Sequence, residues 1–223
     1  MMFESVPPTR QRLLLFARLP EHGHVKSRLA AALGADTALA IYRAMLRDIL
    51  ATLRPPWPDT EVEVLWTSAN GADGASLKEA FDGFSLSMQA GRSLGDRLAV
   101  AFSERFFFHR TEKIIAIGVD DPTLPRPLME RAFALLDSCD WVIGPATDGG
   151  YYLIGCRNES FDAEVFAGIE WGTASVFGAT TSRIGARNNT LAVLPPRSDI
   201  DLPADLEEFA REERGSALGE LLR

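Results

Sequence analysis

The sequence predicts a single α/β domain, with a mostly parallel sheet covered by helices on both faces. Two observations carry this. Short apolar runs of strand length alternate along the chain with stretches of helical period, which is the pattern of β-then-α units. An apolar content of 46% over 223 residues supports one sizeable core, and no repeat, low-complexity tract or linker divides the chain.

Each element has its own signal. RLLLFAR, residues 12–18, is too brief for a stable helix and runs into a loop with Pro and Gly, so it reads as a buried first strand. From Asp36 to Leu53 apolar residues recur at Leu39, Tyr42, Leu46, Ile49, Leu50 and Leu53, one face of a helix with Asp36 as its expected N-cap. Pro55, Pro56 and Pro58 punctuate its exit. EVEVLWTS is a second strand, SLKEAFDGF a short helix and FSLSMQ a third strand. GRSLGDRLAVAFSERFFFHR is a glycine loop feeding a helix, by the period of Leu94, Leu98, Ala101, Phe102 and Phe106. KIIAIGVD is the clearest strand, followed by the helix PLMERAFALLDS and the strand DWVIGPA. TDGGYYLIGC and TLAVLPP read as later strands, TASVFGATTSRIGAR and PADLEEFAREER as later helices. The first eleven residues are expected to form a flexible N-terminus.

Charge narrows the function classes. A formal net charge of −8 argues against broad binding to nucleic acid or an anionic membrane, which need clustered Lys and Arg. No segment approaches the roughly 20 apolar residues that cross a bilayer, and MMFESVPPTRQR lacks the pattern of a secretory signal, so a cytoplasmic protein is expected. Cys139 and Cys156 show no CxxC spacing and read as reduced structural thiols. No GxGxxG, P-loop or GxSxG motif occurs, which speaks against dinucleotide oxidoreductases, P-loop kinases and serine hydrolases.

In open α/β sheets ligands lie beyond the carboxyl ends of the strands, so the loops from Arg18, Gln89, Asp120 and Thr147 are the places for chemistry. Asp120 and Asp121 end the clearest strand, where a carboxylate serves a core poorly but can hold a divalent cation against phosphates. The competing reading gives one of them to the DDPTLP turn or to a helix cap. Asp199 and Asp201 would project the same way from an extended segment, with Asp201 either a second ligand or the cap of the last helix. Lys26 and Arg28, beside a helix start, could hold phosphate. Gly91 and Gly95 could let the backbone approach a ligand, or simply form a turn. Asp148 could act as a general base; otherwise DGG is a hairpin turn and Tyr151 and Tyr152 face opposite ways. His22, His24 and His109 are read as non-catalytic, and Phe106 to Phe108 as core plus a subunit contact, compatible with a homodimer.

Six blocks in order, LLLFARLPEHGHVKSRLA, QAGRSLGDRLAVAF, IGVDDPTLP, GPATDGGYYLIG, IEWGTASV and LPPRSDIDLPADL, make the chain resemble a bacterial family of unknown function with the nucleotide-diphospho-sugar transferase (glycosyltransferase A) fold. Its members are commonly labelled as candidate glycosyltransferases, some in connection with arsenosugar biosynthesis. The family is similar to the 2-phospholactate guanylyltransferases and the molybdenum-cofactor nucleotidylyltransferases. The likeness covers about Leu13 to Leu206, and implies a three-layer α/β/α sandwich with a mostly parallel mixed sheet.

By that resemblance Lys26 and Arg28 face nucleotide phosphates, and the segment from Gln89 through Gly91 and Gly95 to Arg97 borders the base. Asp120, or its neighbour Asp121, occupies the metal position with Asp201 as the second carboxylate, for Mg²⁺ or Mn²⁺. Asp148, Gly149, Gly150 and Tyr151 line the acceptor side. The chain departs from the family pattern at Val119 (usually Ser or Thr), Asp121 (Ser), His22 (Pro), Ser93 (acidic) and Gly172 (Ser).

The leading expectation is a metal-dependent transferase moving a sugar from a nucleoside diphosphate to a small-molecule acceptor, with Asp148 as the acceptor's base. A nucleotidylyltransferase releasing pyrophosphate is the second; Phe16, Ala17 and Arg18 stand where many such enzymes have a glycine-rich start. A non-catalytic nucleotide-binding protein is the third.

Overall fold

The computed structural model describes residues 10–212 and 216–222, so most of the expected flexible N-terminus lies outside the described residues. Strands β1 (Gln11–Arg18), β2 (Thr60–Thr67), β3 (Ser85–Met88), β4 (Lys113–Ile117), β5 (Trp141–Pro145), β6 (Tyr151–Arg157) and β7 (Leu191–Val193) form one sheet in the order β3-β2-β1-β4-β6-β5-β7. All neighbours are parallel except β6, which runs antiparallel to both β4 and β5.

Consecutive side chains of the central strands point to opposite faces, and each face has its own core. Leu13, Leu15, Ile115 and Ile117 pack on one side with helices α1 (Ser27–Leu33), α2 (Ala35–Leu53), α3 (Gly74–Phe81) and α5 (Arg126–Leu135), together with α7 (Pro203–Glu212) and α8 (Ala217–Leu221). Leu14, Ile114, Ala116 and Ile154 pack on the other with α4 (Leu94–His109) and α6 (Val176–Gly185). This is the three-layer α/β/α sandwich with a mostly parallel mixed sheet.

Helix α2 buries Tyr42, Leu46, Ile49, Leu50 and Leu53 of the face its spacing predicted, adds Ile41 and Met45 to it, and leaves Leu39 half-buried. Each such side chain contributes about 1.5–3 kcal/mol of transfer free energy. Its expected cap moves: Gly34 takes the N-cap position at φ 87°, which favours glycine, and Asp36 lies in the first turn. Helix α4 begins on a capping box, with the Ser93 hydroxyl accepting from Asp96 N and the Asp96 carboxylate accepting from Ser93 N. Ser93, one of the departures from the family pattern, therefore has a structural task.

The TDGG segment does not start a strand. It turns the β5–β6 hairpin, with Gly149 N donating to Ala146 O and Ala146 N to Gly150 O, and β6 begins at Tyr151.

A cluster of charged side chains, Arg12, Glu63 and Arg105, is buried between sheet and helix. Glu63 on β2 accepts from Arg12 on β1 at 3.0 Å, from Arg105 on α4 at 2.6 and 3.1 Å, and from Ser87 on β3 at 2.5 Å. Burial alone would raise the Glu63 carboxyl, but Arg105, Ser87 and Arg12 outweigh it and hold it down at about 2.

The order of the strands matters for the site. From β1 the chain moves outward to β2 and β3, then returns past β1 to β4, with α4 crossing on the opposite face from α2 and α3. The carboxyl ends of β1 and β4 flank this switch point, where the crevice of a doubly wound sheet opens.

Candidate active site

Two cavities meet at that switch point. The first, about 470 Å³, is lined by Phe16 to Arg18 at the end of β1, by Gln89, Arg92, Leu94 and Arg97, and by Gly118 to Asp120 after β4. The second, about 260 Å³, is lined by Asp148, Gly150, Trp171, Thr173, Asp199 and Asp201 among others. Leu94, Gly118, Asp120, Tyr151 and Tyr152 belong to both, so Asp120 stands at the junction.

Asp120 and Asp121 separate into two tasks. The Asp120 side chain is 59% exposed, and its Oδ1 meets the Lys26 Nζ at 2.5 Å. Asp121 is buried: its carboxylate pairs with the Arg197 guanidinium through Nε and, at 3.2 Å, through Nη2, and also accepts from Thr123 N and Oγ1. Asp121 therefore makes the turn and Asp120 faces the cavities.

Lys26 closes the arrangement. Its side chain is 4% exposed, and its ammonium donates to Asp120 Oδ1, to Asp201 Oδ1 at 2.8 Å and to Ile200 O at 2.5 Å. Burial would lower its pKa, but Asp120 and Asp201 outweigh that and raise it. The residue adopts a left-handed backbone at φ 46°, a conformation costing a non-glycine residue about 1 kcal/mol or more. Arg28 reaches the other oxygen of Asp201 at 3.4 Å. Asp201 does not cap α7: its carboxylate serves Lys26 and Arg28, while Asp205, in the first turn of α7, accepts from Asp201 N and Leu202 N.

The remaining expected residues fall into place unevenly. Gln89 lines the first cavity, but its Nε2 donates to Ala17 O and Leu65 O, and its Oε1 accepts from Arg97, so its amide braces strand ends. A Cβ on Gly91 would lie 2.7 Å from Arg97 N, and one on Gly95 2.5 Å from Phe166 O, so the close approach these glycines allow is of the chain to itself. Asp148 and Gly150 face the second cavity, whereas Gly149, at φ 93°, packs on the backbone of Ala174. The Tyr151 ring forms a wall of both cavities and meets Trp171 edge-on at 6.1 Å.

Arg92 and Trp171 were not singled out from the sequence, and Arg18 was named only where its loop begins. Arg18 and Arg92 add to Arg97 as cations along the first cavity, and Trp171 lines the second. Tyr42 fixes the end of β1, its hydroxyl accepting from Arg18 N and donating to Arg18 O, both at 2.9 Å. Asp199, seen in the sequence only as half of an acidic pair, is pushed up to about 6 by burial and then by Asp148.

A divalent cation can be tested against these groups. The junction offers carboxylate oxygens from Asp120 and Asp201, close enough to share one ammonium, which is the hard oxygen set that Mg²⁺ or Mn²⁺ takes together with phosphate and water. Among the described residues no three His, Cys, Asp or Glu side chains form a ready-made cage. The residues therefore fit a cation whose other ligands come from a substrate. No helix among the described residues is long and apolar enough to cross a membrane.

A mixed sheet with paired cavities at its switch point defines an α/β domain of the nucleotide-transferase fold. Within that class, the chain belongs to the family of uncharacterized proteins conserved in bacteria (DUF2064), whose model matches residues 58–173. A protein of Desulfovibrio desulfuricans G20, described as a candidate nucleotide-diphospho-sugar transferase, superposes with a TM-score of 0.86 at 30% identity, covering 96% of this chain and 94% of its own. A 2-phospho-L-lactate guanylyltransferase of Halorubrum lacusprofundi is 27% identical over 186 residues, 82% of this chain and 78% of that protein. The Mycobacterium tuberculosis protein Rv0371c, solved in complex with manganese, shares the fold at a TM-score of 0.51 and 11% identity, covering 92% of this chain and 100% of its own.

Proposed function

We propose that the protein is a divalent-cation-dependent transferase that holds a nucleoside diphosphate sugar in the first cavity and passes its glycosyl group to a hydroxyl-bearing acceptor in the second. The observation carrying this reading is the junction of two cavities of opposite character at Asp120. Arg18, Arg92 and Arg97 line one, suited to an anionic donor, while Asp148, Asp199, Trp171 and Tyr151 line the other.

The acceptor side favours glycosyl transfer. Acceptor hydroxyls would donate to Asp148 and Asp199, whereas an acceptor phosphate would meet their negative charge. The Arg197 guanidinium is occupied by Asp121.

In the reaction the acceptor oxygen bonds to the anomeric carbon as that carbon's bond to the phosphate oxygen breaks. Asp148 takes the acceptor's proton, and the nucleoside diphosphate leaves. A cation held by Asp120 and Asp201 would neutralise charge growing on the departing diphosphate. Arg18, Arg92 and Arg97 add fixed positive charge along the donor's path, and Lys26 and Arg28, which pair with Asp120 and Asp201, would add theirs to the phosphates once released from the aspartates.

A second reading, nucleotidylyl transfer with pyrophosphate release, is supported by the 27% identical relative named as a guanylyltransferase. Phosphorus NMR of the protein with nucleotide sugars and with nucleoside triphosphates, each with Mg²⁺ or Mn²⁺, separates the two. Free nucleoside diphosphate from a sugar donor supports glycosyl transfer, and pyrophosphate from a triphosphate supports the second reading. Binding without turnover of any donor would leave only a nucleotide-binding role.

A further inference from the structure

Lys26 is unusual among the cations of the site. Arg18 and Arg92 are exposed along the donor cavity, but the Lys26 side chain is buried and its ammonium lies between Asp120 and Asp201. Each of its three hydrogen bonds ends on a different oxygen: Asp120 Oδ1, Asp201 Oδ1 and the carbonyl of Ile200. The same two segments are also tied together by Ile200 N donating to Asp120 O at 2.9 Å.

A cation with oxygen ligands on the carboxylates of two separate loops and on a backbone carbonyl is what a bound divalent ion would look like, with an ammonium in its place. We infer that Lys26 is a resident stand-in for the metal, holding Asp120 and Asp201 together in the free protein and yielding them only when a polyphosphate gives it another anionic partner. This rests on the assignment of Asp120 and Asp201 as the metal pair.

The physical argument is one of competition. An ammonium and a divalent cation cannot both lie between these oxygens, because like charges a few Å apart in a partly dry site repel strongly. A metal alone would have to expel a buried ammonium with nowhere to go. A metal arriving with nucleotide phosphates brings both its missing ligands and a new counter-charge for Lys26. Metal binding in the free protein is therefore weak, and loading is ordered toward the metal–nucleotide complex. The left-handed backbone at Lys26 fits such a role, since a conformation held against its own preference is released readily once its side-chain contacts go.

Manganese titration of the full chain without nucleotide, read by the EPR signal of free Mn²⁺, tests this. Lys26→Met should bind Mn²⁺ at least tenfold tighter than the native protein, and Lys26→Arg should bind it as weakly as the native protein does. Arg28→Met, which removes an exposed cation from the same Asp201, should change the affinity by less than about threefold, in keeping with the weakness of surface pairs. Circular dichroism confirms folding, and Lys26→Gln replaces Lys26→Met if the latter fails. Equal affinity in the native and neutral variants, or equal gains from Lys26→Met and Arg28→Met, would overturn the stand-in role. In that event, Mn²⁺ binding that still requires guanosine or uridine diphosphate leaves the proposed function intact. Failure of every variant to bind Mn²⁺ even with nucleotide would remove the metal site and the stand-in together.

Discussion

The Asp121 carboxylate and the Arg197 guanidinium, 76 residues apart, form a two-nitrogen ion pair that ties the loop after β4 to the segment leading into α7. Thr123 completes it, with its hydroxyl donating to Asp121 and accepting from Arg197 at 2.8 Å. The pair fixes where Asp120, one residue earlier, can point.

Asp121→Ala should therefore be a stability mutation. It strips a largely buried carboxylate from its guanidinium, a loss of about 3 kcal/mol. For a chain of this size that lowers the melting temperature by roughly 6–12 °C in differential scanning calorimetry. Metal and nucleotide in excess should raise native and variant protein alike and leave the gap between them.

Asp120→Asn should behave in the opposite way. The side chain is mostly exposed, and Lys26 keeps Asp201 and Ile200 O, so melting of the unliganded protein should move by no more than about 3 °C. The extra stabilisation that Mn²⁺ gives to a nucleotide complex should vanish. A large drop in the unliganded melting temperature would return Asp120 to a turn-forming role.

Acid should act through Glu63. Its folded-state pKa, about 2, lies below the ordinary carboxylate value, so its contribution is complete above the unfolded pKa and is lost as pH falls from about 5 toward 2. Glu63→Gln should cost about 3 kcal/mol at pH 7 by leaving Arg12 and Arg105 uncompensated. The gap between native and variant stability in urea titrations should close as pH approaches 2.

Gly95→Ala should shift the start of α4. The added methyl would lie 2.5 Å from Phe166 O and 2.8 Å from Trp171 Nε1, and the former is backbone that cannot swing away. A loss of about 2 kcal/mol, with a change in the fluorescence of Trp171, is expected.

Asp148→Asn should lower turnover by about 10²- to 10⁴-fold while leaving donor binding intact. Nucleotide-dependent thermal shifts equal to those of the native protein, beside lost transfer, would fit the base role. Loss of both would place Asp148 on the donor side.

Much of the scaffold was legible because it depends on local patterns. The apolar runs around Leu13 to Leu15 and Ile114 to Ile117 read as buried strands, and the spacing of Tyr42, Leu46, Ile49, Leu50 and Leu53 as one helical face. Asp120 stood out because a carboxylate closing such a strand has little to offer a core. What could not be read depends on distant pairing. Nothing near Asp121 announces Arg197, and nothing near Lys26 announces that Asp201 will meet it. Likewise, nothing in EVEVLWTS announces the Arg105 that meets Glu63. Gly91 and Gly95 were legible as close-approach positions, yet a sequence does not say whether the approaching party is a ligand or the chain itself.

The buried Glu63 has a consequence for recombining this chain with its relatives. Its counter-charges come from Arg12 upstream and Arg105 downstream, so the three positions form one inheritable unit spanning β1 to α4. A hybrid whose crossover falls between residues 63 and 105 would separate the acid from its downstream partner unless the other parent supplies a matching arginine. Crossovers beyond residue 105 keep the trio together and leave the hairpin, Trp171 and the acidic pocket free to be exchanged as a cassette.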